Sequence, residues 1–176
     1  TLNQRVFVGG NVSITGSETV SGNVSITGSE TVGGNLSVTG NESIGGNVTI
    51  NGTLTTVGDT TLDNRLNVLQ DTTLNQRLFV GGNVSITGSE TVGGNLSVTG
   101  NESIGGNVTI SGSETVGGNL SVTGNESIGG NATISGTLTT VGDTTLDNRL
   151  NVLQDTTLNQ RLFVGGNVSI TGSETV

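Results

Sequence analysis

The fold this sequence predicts is an all-β solenoid built on a six-residue repeat, with three repeats to each turn. Three observations predict it. The first is the frame: counted in sixes from Gly22, the repeat never slips across the 176 residues, and a short fixed period without insertions is the mark of a solenoid or fibrous array. The second is the fifth position of the unit, which occurs 30 times and is Ile, Val or Leu in all but Thr56 and Thr140. The third is the alternation within each unit. In GNVSIT, Val24 and Ile26 fall on one side of an extended chain and Asn23 and Ser25 on the other, which is the period of a strand.

Composition agrees. There are 31 Gly and no Pro, Cys, Met, Trp or Tyr, and the aromatic residues are Phe7, Phe79 and Phe163 alone. The apolar residues are almost all β-branched or aliphatic, the set that suits strands, so the core is expected to be narrow and to repeat along one axis. Glycine at the first position marks the corners, where a backbone with φ above zero is expected.

Residues 10–51 repeat the unit with small drift. From Gly52 the flavour changes to GTLTTV, GDTTLD, NRLNVL, QDTTLN and QRLFVG, with Asn64, Gln70 and Gln76 in place of corner glycines. Residues 82–135 return to the first flavour, and 136–165 copy the second, fourteen units on. The opening TLNQRVFVGG matches Thr73–Gly82. The chain therefore reads as one continuous shaft over 1–176, with Asp/Arg-containing modules near 52–81 and 136–165, and is expected to be a piece of a longer fibre.

Charge sets the number of units per turn. Two units per turn would stack Glu18 on Glu30 and Asp59 on Asp71, and like charges on adjacent strands are destabilising. Three units per turn remove the conflict in two ways. One chain winding on itself sets Asp59 beside Arg77. Three intertwined chains set Asp59, Arg65, Asp71 and Arg77 in a continuous alternating ladder, repeated by Asp143, Arg149, Asp155 and Arg161. The intertwined homotrimeric triple-stranded β-helix pairs every member and is the favoured expectation, although each exposed pair is worth only about 0–1 kcal/mol. By parity the Glu residues at position 3 face inward, which is costly for a carboxylate.

Several functions are disfavoured. A net charge of −9 with five Arg opposes nucleic-acid binding, and no apolar run is long enough to span a membrane. Without His or Cys there is no Ser-His or Cys-His nucleophile, and Gly81-Gly82 lacks the Lys and following helix of a phosphate loop. No calcium nonapeptide occurs. The expectation is a protein that is not an enzyme and carries no cofactor or metal. Asn-x-Ser/Thr occurs fourteen times, and these sequons include the candidate glycosylation sites Asn11, Asn23, Asn35, Asn41, Asn47, Asn83, Asn95, Asn101, Asn107, Asn119, Asn125, Asn131 and Asn167. Ser13-x-Thr15, Ser25-x-Thr27 and Ser37-x-Thr39 resemble the Thr-x-Thr arrays of ice-binding solenoids, a reading that needs the two-unit turn. Phe79 beside Arg77, Phe163 beside Arg161 and Phe7 beside Arg5 are candidates to cover a seam between chains, with Arg over the ring.

The stretch DTTLNQRLFVGGNVSITG, Asp71–Gly88, resembles the repeat shafts of viral fibres, such as phage tail fibres and fibre-like proteins of large algal viruses, which read as strings of TLNGxLxVGGNVTITG. The resemblance covers the whole chain. It implies a homotrimeric β-helical shaft on a virion or cell surface, outside the cell, holding a distal attachment tip that is absent from these residues. The chain's partner would be itself, with receptor contacts left to the tip. Stalks of bacterial adhesins and other glycosylated cell-surface filaments use similar sequence and are the alternative.

Overall fold

The computed structural model describes residues 4–166, 168–170 and 174–175. The position-5 residues Leu2 and Val176 and the sequon at Asn167 lie outside them.

Short strands follow one another from β1 (Val6–Val8) to β29 (Glu174–Thr175), and the described residues contain no helix. Each strand is positions 3 to 5 of one unit, as in β4 (Val24–Ile26), where Val24 and Ile26 are buried and Ser25 is half-buried. Positions 6, 1 and 2 make the corner. Every strand pairs in parallel with the strand three units away, so Val6 lies beside Val24 and Val24 beside Glu42. Three sheets result. Face I carries β1, β4 and every third strand to β28 (Val168–Ile170). Face II begins at β2 (Val12–Ile14), and face III at β3 (Glu18–Val20). The stack of ten strands on face I makes a rod about 43 Å long at the usual strand spacing of about 4.8 Å.

The expected three units per turn are present, and it is one chain that winds on itself. Each strand finds its partners one full turn away in the same chain, rather than in the next unit of a neighbouring chain as intertwining would require. Position 5 supplies a dry column down each face: Ile50, for example, sits between Val32 and Val68 with no exposed surface.

The corners close by backbone bonds to the neighbouring turn. The Thr27 N–H donates to the Val8 carbonyl at 3.0 Å, the Gly46 N–H to the Gly28 carbonyl at 2.9 Å, and the Val24 N–H to the Asn41 carbonyl at 2.8 Å. The expectation of positive φ at the corner glycines is not met: no described residue has one. At most of the corner glycines successive turns come too close for a side chain. A Cβ on Gly40 would lie 2.6 Å from both the carbonyl carbon and oxygen of Gly22.

Candidate functional site: carboxyl file inside, amide ladders outside

The inward-facing Glu residues are the chemically unusual feature of the rod. Glu18, Glu30, Glu42, Glu90, Glu102, Glu114 and Glu126 are between 0 and 8 % exposed. Within each run they recur every second unit, two thirds of a turn, so successive members arise from different faces and meet along the axis. Glu30 contacts Glu18 and Glu42, and a second run joins Glu90, Glu102, Glu114 and Glu126. The runs end against hydroxyls: Thr60 lies beside Glu42, Thr72 beside Glu90 and Thr144 beside Glu126 in strand register. Thr140, one of the two departures from aliphatic position 5, donates its hydroxyl to Glu126 Oε2 at 3.2 Å.

As carboxylates these groups lack donors. Both oxygens of Glu30, Glu42, Glu90, Glu102 and Glu114 are buried without a hydrogen-bond partner of that kind. A proton on one carboxyl turns each acid–acid contact into a donor–acceptor pair. Electrostatics point the same way. Burial, reinforced by the charge of Glu42, pushes Glu30 up to about 9, and burial pushes Glu42 up to about 7. Burial also raises Glu90 and Glu126, which are partly relieved by hydrogen bonds from Glu102 and Glu114 respectively. Glu102 and Glu114 stand well above the carboxylate range, by burial first and then by the charges of their neighbours. These shifts favour a proton on Glu102, directed to Glu90, and on Glu114, directed to Glu126. Among the described residues no group of His, Cys, Asp or Glu is arranged to hold a metal ion.

The outer corners hold a second regularity that the sequence reading missed. The side chain at position 2 accepts the position-2 N–H of the next turn. Asn83 Oδ1 takes the Asn101 N–H at 2.9 Å, and Asn101 Oδ1 takes the Asn119 N–H at 2.8 Å. Ser17 and Asp71 do the same for Asn35 and Ser89. The position-2 carbonyl is already engaged by a neighbouring strand, so the side-chain oxygen completes the corner. This explains why position 2 is so often Asn, Ser or Asp. Replacing Asn101 with Ala is expected to cost about 1–2 kcal/mol in urea denaturation, and replacing it with Asp, which keeps an oxygen, to restore most of that. Equal loss in both variants would show that the oxygen is not what the corner needs.

The candidate glycosylation sites Asn11, Asn23, Asn35, Asn41, Asn47, Asn83, Asn95, Asn101, Asn107, Asn119, Asn125 and Asn131 all use Oδ1 in this way. Attachment at Nδ2 leaves that oxygen in place. Stacked members such as Asn83, Asn101 and Asn119 are separated only by the strand spacing of about 4.8 Å, too close for three bulky glycans.

The charged residues fall on three corners. Asp59 and Arg77 share the corner before face I, and Arg65 and Asp71 occupy the other two, so within the chain the four do not form one ladder. The same holds for Asp143, Arg149, Asp155 and Arg161: Arg161 pairs with Asp143 at 3.5 Å, one full turn away. The outer Asp and Arg of each set fall one full turn apart as well as alternating between adjacent units, which is why the sequence pattern admitted both windings. Arg65 stands above Asn47, whose Oδ1 accepts its N–H at 3.4 Å, and Arg149 above Asn131 at 3.2 Å.

The expected Arg–Phe stacking is present at two of the three pairs, Arg77–Phe79 and Arg161–Phe163. The guanidinium carbon of Arg77 lies 5.5 Å from the Phe79 ring centre and that of Arg161 lies 5.3 Å from Phe163. Both rings are about half exposed, and Phe7 is more so. Thr15, Thr27 and Thr39, by contrast, sit at three different corners and form no common array.

No family model, curated protein or solved structure matches the chain.

Proposed function

We propose that the chain is a structural shaft: a rigid, non-enzymatic spacer of a virion-surface or other extracellular appendage that holds an attachment tip away from the surface. One observation carries this reading. The three-unit turn runs without insertion along the described chain, so hydrogen bonds, aliphatic columns and corner amides all align with one axis. Such a molecule resists bending along its whole length and grows by adding turns. Gold-labelled antibody against the chain, applied to intact particles or cells of its source, should decorate surface projections. Labelling confined to the cell interior would remove the proposal.

Homotrimeric association belongs to the same proposal. Because the strand hydrogen bonds are used within the chain, three shafts would associate through their outer faces, where the Arg–Phe pairs lie. Light scattering should give three times the 17.6 kDa chain mass, and a stable folded monomer would rule the trimer out.

A specific observation favours a second reading, ice binding. Outward residues on face III form an unbroken hydroxyl file, Thr19, Ser37, Thr55, Thr73, Thr91, Thr109, Ser127 and Thr145, ended by Phe163. Faces I and II are interrupted by Phe79 and Asn67. Inhibition of ice recrystallisation at micromolar concentration, lost when Thr73, Thr91 and Thr109 become Lys, would favour it over the shaft.

A further inference from the structure

We propose that the axis of the rod is a proton-binding file, and that its buried acids close the fold only when neutral and hydrogen-bonded to one another, so that the rod tightens as protons bind and loosens as they leave. The proposal stands on the packing and does not depend on the shaft reading.

Apart from the Thr140 hydroxyl on Glu126, no hydrogen-bond donor is placed on these groups among the described residues. Glu102, on β17 (Glu102–Ile104), lies between Val84 and Leu120 within its sheet. Glu114, on β19 (Glu114–Val116), lies between Leu96 and Ala132. The ionisable groups that meet them from the other faces are further acids of the run, Glu90 and Glu126 included. At the ends, Glu90 is flanked by Thr72 and Val108, and Glu126 by Val108 and Thr144, with the Thr140 hydroxyl beside it. In the first run Glu18 is flanked by Leu36, Glu30 by Val12 and Val48, and Glu42 by Val24 and Thr60. No cation faces either run. The chain has no Lys or His, and its five Arg all occupy position 2, on the outer corners.

Water supplies the missing partners in the unfolded chain, and each acid then titrates near its ordinary value of 4.5. In the fold the values of Glu30, Glu42, Glu90, Glu102, Glu114 and Glu126 are raised. The stability the acids contribute is therefore fully present below about pH 4.5 and is lost as pH climbs through the folded values, about 7 for Glu42 and about 9 for Glu30. Each acid that holds its proton in the fold and loses it on unfolding lowers the folding constant about tenfold per pH unit.

The test is urea denaturation of the whole chain, followed by circular dichroism from pH 5 to pH 9, beside the double variant Glu102→Gln/Glu114→Gln. The amides keep a donor and an acceptor at each position and cannot titrate. The wild-type folding constant should fall with rising pH, and the variant's should fall about a hundredfold less per pH unit between pH 6 and pH 7. A wild type that is indifferent to pH or strengthened by alkali, or a variant with the same slope, overturns the proposal. Should the double variant not fold, Glu102→Val/Glu114→Leu restores the aliphatic residues usual at position 3. Proton uptake on refolding in unbuffered solution at pH 6.5 gives an independent count that needs no two-state assumption. It should be positive for the wild type and smaller by about two protons for either variant; no uptake by the wild type overturns the proposal.

Discussion

Replacing Ile50 with Asp is expected to destroy the fold around it, at a cost of more than about 4 kcal/mol in urea or thermal denaturation. Ile50 has no exposed surface and lies between Val32 and Val68 in the position-5 column. The substitution removes about 2–3 kcal/mol of apolar burial and sets a carboxyl group between two aliphatic side chains. Replacing its neighbour Thr49 with Asp should shift stability by no more than about 0.5 kcal/mol, because that side chain points outward. The contrast with the natural Glu residues is instructive. Those occupy position 3, and each reaches another acid at the axis; an Asp in the position-5 column has only aliphatic neighbours in its sheet. Because each turn contacts only adjacent turns, the damage should stay local and leave strand signal from both ends of the rod. Equal loss from the two variants would mean that the inward and outward faces are wrongly assigned.

Adding one carbon at Gly106 should be nearly as harmful. A Cβ there would lie 2.6 Å from the Gly88 carbonyl oxygen and 2.7 Å from its carbon, both backbone atoms of the turn below. The chain must move apart, weakening the 2.8 Å bond from the Gly106 N–H to the same carbonyl. Gly106→Ala is expected to cost about 2–3 kcal/mol, the upper part of the overpacking range. Gly81→Ala is the control. Its Cβ would meet nothing nearer than 3.7 Å, so the substitution should be neutral, or stabilising by up to about 1 kcal/mol through a less flexible unfolded chain. Thermal melts of the two variants decide between close approach and simple flexibility as the reason for glycine. Similar losses at both positions would exclude close approach.

Much of the architecture was legible in the sequence because the repeat has an even number of residues. A strand alternates with a period of two, so the frame assigns Val24 and Ile26 to one side and Ser25 to the other in every unit without knowledge of the turn. The like charges that a two-unit turn would bring together then pointed to three. What remained hidden depends on atoms a full turn apart. The corner role of Asn101 is invisible until Asn119 is stacked upon it, and the glycine requirement until Gly88 lies beneath Gly106. The choice between one chain and three rested on exposed charges worth about 0–1 kcal/mol each. One chain pairs Arg161 with Asp143 across a full turn and three chains would pair charges one unit apart, so the pattern had little power to separate the two. The inward Glu residues were correctly placed by parity, while their resolution as mutual partners needed the two-thirds-turn spacing that brings Glu90, Glu102, Glu114 and Glu126 together from successive faces. Thr140 carried a readable signal: it interrupts the aliphatic column two units beyond the one that holds Glu126, as Thr56 does beyond Glu42.

The winding also converts chain length into compass bearing. Phe7 and Phe79 are twelve units apart, four whole turns, and both stand on face I. Phe79 and Phe163 are fourteen units apart, two more than four turns, and Phe163 looks out from face III. Inserting or deleting a single hexad swings everything beyond it through about a third of a revolution and leaves the backbone hydrogen-bond pattern formally intact, whereas three hexads lengthen the rod without changing its aim. Duplication and loss of units can thus steer where a feature points, much as teeth on an indexing wheel set discrete headings, with no new side chain required.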